Sequence, residues 1–404
     1  MSQVSYKRGN ILIYVIIGLL MSGLSTQVCE KIGVPTLPEL LYIPLLFLVR
    51  KDFEINKKWV SDFALFSVIW FAILFFAIID GRFSLASIIT TAKAYLIMGL
   101  FVALLYNARF TPKLSLAIFV ISFASVAGWA LTVYLKFIGV FPMGYSFVTY
   151  GNMVAVSLAI SFGITIYKKP IVLLLLIVIV VFISVASAIR RLILVSAVSI
   201  VISFIFNNIF VKRSFKTTLV LAVLAISFIS MLPALESTIE DISPVLHHRI
   251  FDKTRNAAFD SDIAEDDVRE DNFTKIWSDV PNLIIPHGFV SKQTKQDEKV
   301  GIFVDNPLYE VFYTLGLPVG ILLLLIYLVR LKRLTLYCFK LKNINMIAIL
   351  TPSIICFMLL FVDSTYLSWS YITPSTGSVL GLLFKFSKKK INYEDIILLP
   401  RRER

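Results

Sequence analysis

Residues 170–212 read PIVLLLLIVIVVFISVASAIRRLILVSAVSIVISFIFNNIFVK. Two apolar runs, 170–188 and 190–211, meet there at the pair Arg190–Arg191. Each run is close to the roughly 20 apolar residues that carry a helix across a bilayer. Working outward, ten further stretches of this kind are expected at 10–28, 33–49, 62–79, 84–107, 114–138, 147–167, 217–234, 308–329, 344–362 and 371–386. The second and the last are short and interrupted by proline. The reading is an all-α polytopic membrane protein of about twelve transmembrane helices with one large loop. Its parts are helices one to nine (1–234), the loop (235–307), helices ten to twelve (308–386) and a basic tail (387–404).

The composition agrees: 58% of residues are hydrophobic and the mean hydropathy is +0.84, which is a membrane composition. The first run is read as a span rather than a cleaved signal, because no clean small-residue cleavage site follows it. Basic residues set the expected orientation. With Lys7 and Arg8 in the cytoplasm, the connections carrying Arg50, Lys51, Lys57, Lys58, Arg109, Lys113, Lys168, Lys169, Lys212, Arg213 and Lys216 all fall on the same side. Both termini are then inside and 235–307 lies outside. The net charge of +13 is thus a rim facing anionic lipid headgroups and calls for no nucleic acid. Cys29, Cys338 and Cys356 lie in or near different helices and on different sides, and build neither a disulfide framework nor a metal cluster. Absence of a P-loop, a Rossmann glycine pattern and HExxH leaves ATP, dinucleotides and zinc without support.

The region 235–308 has the opposite sign, with eight basic and fifteen acidic residues, hence a net charge of −7. It opens with an amphipathic piece, 233–242, and passes through an acidic stretch, 260–267. A helix is expected over 268–280, where Phe273, Ile276 and Trp277 recur at spacings of three and four. Pro281 and Pro286 stop it and turn His287-Gly288 tightly. Asp305-Asn306-Pro307 then caps and opens the tenth span.

Several cations stand apart from the inside rim. Arg190 and Arg191 are expected at the outer ends of two spans, either as interfacial anchors or as an anion site, since guanidinium forks match phosphate oxygens. Lys93 would sit roughly 13 Å deep at 1.5 Å per residue, where a lysine needs a partner or a watery cavity. Arg249 and Arg255 have acidic neighbours for salt bridges. Tyr309, Tyr313, Tyr366, Trp369 and Tyr371 form either an interfacial belt or a stacking surface for sugars.

The order Arg269-Glu-Asp-Asn-Phe273, Trp277, Pro286-His287-Gly288, Asp305-Asn306, nine residues, then Gly316-Leu317-Pro318 resembles the large periplasmic loop of the O-antigen ligase and Wzy-type polysaccharide polymerase superfamily. Arg269 stands where that family has an arginine four before an aromatic, and His287-Gly288 where it has a turn. Arg190 or Arg191 matches an arginine after a Ser-rich turn, and Gly316 to Gly320 the final turn with one inserted residue. Ligases carry histidine where this chain has Asp305, which inclines the likeness towards the polymerases.

The resemblance implies a metal-independent, inverting glycosyltransferase in a bacterial inner membrane, with its site on the periplasmic face and no cofactor. Donor and acceptor would both be undecaprenyl-pyrophosphate-linked oligosaccharides, with membrane lipids and a chain-length regulator as partners. Arginines can supply preorganised charge for a leaving pyrophosphate: Arg190, Arg191 and Arg269, with Arg249, Arg255 and Lys93 in reserve. Asp305 and His287 compete as the base, and Trp277, Tyr309 and Tyr313 would bind glycan. The alternatives are a ligase acting on lipid A-core and, from another class, a flippase for lipid-linked oligosaccharides.

Overall fold

The computed structural model describes residues 8–33, 37–81, 84–141, 150–167, 170–187, 190–212, 280–289, 307–362 and 373–388. The chain is an all-α membrane protein; the one β feature among the described residues is an isolated bridge between Ile55 and Ala108. Its helices are α1 (Arg8–Leu20), α2 (Gly23–Lys31), α3 (Leu37–Leu48), α4 (Lys58–Asp80), α5 (Leu85–Asn107), α6 (Pro112–Phe137), α7 (Tyr150–Phe162), α8 (Pro170–Ser187), α9 (Arg190–Phe206), α10 (Pro307–Leu315), α11 (Leu317–Leu341), α12 (Ile344–Val362) and α13 (Thr373–Phe386).

Among the described residues four segments are long and apolar enough to cross a bilayer: Lys58–Asp80, Pro112–Lys136, Leu192–Ile209 and Ile344–Phe361. A fifth exists if Asn10–Leu20 and Gly23–Cys29, bent by 61°, form one broken span. The expected straight run over 10–28 is therefore two helices. Ser22 Oγ donates to the Leu19 carbonyl and Ser25 Oγ to that of Leu20 at the break, satisfying carbonyls that an unbroken helix would have used. The expected span 308–329 is also divided, at Gly316, and its second part runs on to Leu341. The expected stretch 217–234 lies outside the described residues.

α4 shows what the surroundings must be. Phe71, Phe75 and Ile79 are each more than 60% exposed, a face suited to lipid tails. The opposite side packs on α5, where Gly99 admits the Phe66 ring. On the far side of α5, Gly377 and Gly381 of α13 meet the carbonyls of Met98 and Val102 so closely that a methyl group at either glycine would collide. This small-x-x-x-small spacing lets two membrane helices touch backbone to backbone. Hydroxyl pairs tie the bundle interior: Ser199 donates to Ser157 at 2.9 Å and Ser203 to Thr351 at 3.1 Å.

Candidate functional site

The break between α10 and α11 creates the site. In a continuous helix the amide of residue 317 would bond the Tyr313 carbonyl and that of residue 318 the Thr314 carbonyl. Gly316 leaves the helical region with φ +79°, and Pro318 has no N–H to give. The amides of His287 and Gly288 donate in their place, to Tyr313 at 3.0 Å and Thr314 at 3.3 Å. A strap formed by 284–289 is thereby stitched to the end of α10.

The strap enters after a helical turn, Val280–Leu283, that contains Pro281; the rest of the helix expected over 268–280 lies outside the described residues. Gly288 has φ +81° and lies against the backbone of Ile73 and Ala77 in α4. No side chain fits there, which is why glycine follows His287. Phe289 is buried, its ring centroid 5.3 Å from Tyr95 and 6.0 Å from Trp70.

His287 joins three separate segments. Its Nε2 is 2.6 Å from the Asn282 carbonyl and its Nδ1 2.9 Å from Oδ1 of Asp80, the last residue of α4. Tyr313 stacks on the imidazole with ring centroids 4.6 Å apart and donates its hydroxyl to Asp80 Oδ2 at 3.3 Å. The Asn282 carbonyl and the Asp80 carboxylate both accept, and the tautomer decides which ring nitrogen donates. Both ring nitrogens are occupied in this arrangement.

Two further contacts put ionisable groups inside the bundle. Lys93 on α5 pairs with Glu39 on α3 at 2.9 Å, with 28% and 9% of the side chains exposed. The second Glu39 oxygen and the neighbouring Tyr42 hydroxyl are buried without a hydrogen-bond partner. Tyr95 donates at 2.7 Å to Glu310, which is fully buried on α10. A charge in a membrane interior costs about 3 kcal/mol or more unless it is paired or hydrated, and these contacts supply part of that compensation.

The expected site residues fare differently. Lys93 has its partner in Glu39 and is not a free cation. Tyr309 and Tyr313 are buried, at 4% and 1% exposure, and stacked together with centroids 6.2 Å apart; neither ring offers a face to a sugar in this conformation. Arg190 and Arg191 open α9, and their side chains lie outside what is described. Asp305, Arg269, Arg255, Arg249 and Trp277 also lie outside the described residues. Asp80, Glu39, Tyr95 and Glu310 went unread in the sequence. Their signal was an acid or hydroxyl inside or at the end of an apolar helix. No family model, curated protein or solved structure matches the chain.

Proposed function

We propose that this protein is a polymerase of lipid-linked oligosaccharide repeat units in a bacterial inner membrane. On this reading about twelve spans leave both termini in the cytoplasm and 235–307 in the periplasm. The observation that carries it is a meeting of motifs. His287-Gly288 and the helix that follows Asp305-Asn306 are separate parts of the motif order that resembles the polymerases, and they are joined by hydrogen bonds from the His287 and Gly288 amides to the Tyr313 and Thr314 carbonyls.

The reaction follows from simple displacement. A sugar hydroxyl of the acceptor unit attacks the anomeric carbon of the growing glycan. The bond from that carbon to the pyrophosphate oxygen breaks, undecaprenyl pyrophosphate leaves with the electron pair, and the hydroxyl proton passes to a base. We assign the base to Asp305, because both ring nitrogens of His287 are already engaged. Arg190, Arg191 and Arg269 hold the pyrophosphate, where planar bidentate charge suits its oxygens.

One observation favours a second reading. The half-buried Glu39–Lys93 pair and the buried Glu310 place ionisable groups within the bundle, as a transporter of lipid-linked oligosaccharides would. Purified full-length protein supplied with two lipid-linked units separates the readings. Glycan lengthening is expected. Transfer to lipid A-core would make it a ligase, and movement across vesicles without lengthening would make it a transporter. Asp305→Asn is expected to slow lengthening by about 10²–10⁴-fold, since asparagine caps a helix as well as aspartate does. Near-normal turnover in that variant would remove Asp305 as the base.

A further inference from the structure

We propose that the foot of α11, where Arg330 and Arg333 face the end of α13, is a binding site for a phospholipid with an anionic headgroup. The proposal rests on the membrane setting of the bundle and is independent of the polymerase reading. Residues 317–362 and 373–388 carry seven basic side chains and no acidic one. Elsewhere the basic rim mixes its signs: Asp52, Glu54 and Asp62 stand among Lys51, Lys57 and Lys58, and Arg109 pairs with Glu54 at 3.4 Å. Among the described residues, Arg330, Lys332 and Arg333 have no carboxylate partner. Like charges gathered in this way repel one another, and an anion from outside the chain relieves the repulsion.

Helical spacing sorts this end of α11 into two faces. Arg330, Arg333 and Tyr337 follow at intervals of three and four and share one of them. Arg330 donates to the Ser387 carbonyl at 3.3 Å and Tyr337 to that of Lys388 at 2.9 Å, so this face lies against the end of α13. The Arg330 guanidinium also sits over Phe384, 5.5 Å from the ring centroid, which helps to hold the fork. One N–H goes to Ser387, and a guanidinium has several more to give. Both arginines are half-buried. Leu322, Leu325 and Val329, each 47–55% exposed, form the adjoining stripe, and exposed Lys332 continues it. The stripe therefore changes from apolar to basic within one turn. An acyl chain fits its upper part, and a phosphate fits the lower, where planar guanidinium forks match phosphate oxygens. A soluble anion would use the cations and leave the apolar stripe bare. A lipid is the occupant that uses both, as in basic pockets between membrane helices.

Thermal unfolding of the purified full-length protein in uncharged detergent tests this, with phosphatidylglycerol, phosphatidylcholine or inorganic phosphate added at matched ionic strength. Phosphatidylglycerol should raise the midpoint as its concentration rises, as a ligand of the folded state does, and phosphatidylcholine should not. Lys332→Gln combined with Arg333→Gln leaves the Arg330–Ser387 contact in place. It should keep the wild-type midpoint in detergent alone and weaken phosphatidylglycerol binding about tenfold or more. Lys57→Gln with Lys58→Gln removes the same charge at exposed positions elsewhere on the rim and should leave the lipid response unchanged. Should the first double variant fold poorly, Lys332→Gln alone gives the same test with a loss of roughly fivefold. No response to phosphatidylglycerol, or a full response in the Lys332 variants, overturns the proposal. Equal loss in the Lys57 and Lys58 variant marks a general effect of net charge and overturns the site. An equal shift with inorganic phosphate overturns the lipid, and equal shifts with both phospholipids overturn the anionic headgroup.

Discussion

The two halves of α5 are held by different physics. From Met98 to Leu105 the helix meets α13 through close backbone approach, at Gly377 and Gly381. From Ala92 to Tyr95 directional contacts are added to the packing against Phe289: the Trp70 indole donates to the Ala92 carbonyl, Lys93 pairs with Glu39, and Tyr95 donates to Glu310. The first half would serve any protein that needs two helices to touch in lipid. The second half is costly in a membrane and holds only while each polar group has its partner. Polar groups inside a membrane bundle make this the half in which to test for function.

The largest expected effect comes from splitting the ion pair. Glu39→Gln or Lys93→Met should each destabilise the folded protein by about 3 kcal/mol, the lower end for a broken buried pair, because Lys93 keeps 28% of its side chain exposed. The double variant should recover much of that loss, since it buries no unpaired charge. Unfolding in mixed detergent measures all three. Additive losses in the double variant would show that the pair is uncoupled and that the two halves of α5 differ less than the contacts indicate.

On the apolar half, Gly377→Val should cost about 1–3 kcal/mol by overpacking against the Met98 carbonyl. Lengthening activity per folded molecule should be retained. A variant as stable as wild type would mean that α13 does not sit against α5. A folded but inactive one would carry function into the seam.

Much of the helical plan was legible because burial in lipid writes itself as long apolar runs, and 170–188 and 190–211 are such runs. The breaks were less visible. Hydropathy does not register that Ser22 and Ser25 can take over freed carbonyls, or that Pro318 and Gly316 together expose two more for a distant strap. At the site, His287-Gly288 could be found by its turn, but its partner Asp80 could not, since nothing local in the chain relates residues 207 apart. Lys93 announced that it needed a partner. Glu39 could be identified only once α3 and α5 were placed side by side.

The smallest effect tests whether the polar half is architecture or chemistry. Tyr95→Phe keeps the ring against Phe289 and removes only the O–H donated to Glu310 at 2.7 Å. Losing a hydrogen bond to a buried charged acceptor costs about 1.5–3 kcal/mol, with the low end expected because Glu310 has further contacts. Glu310→Gln keeps an oxygen for Tyr95 and removes the charge, so its cost should be smaller still. If stability decides everything, both variants keep normal turnover once protein levels are matched. Loss of turnover in Glu310→Gln, with stability intact, would instead identify this carboxylate as a participant in the reaction. The functional half of α5 would then extend from Lys93 and Tyr95 into α10.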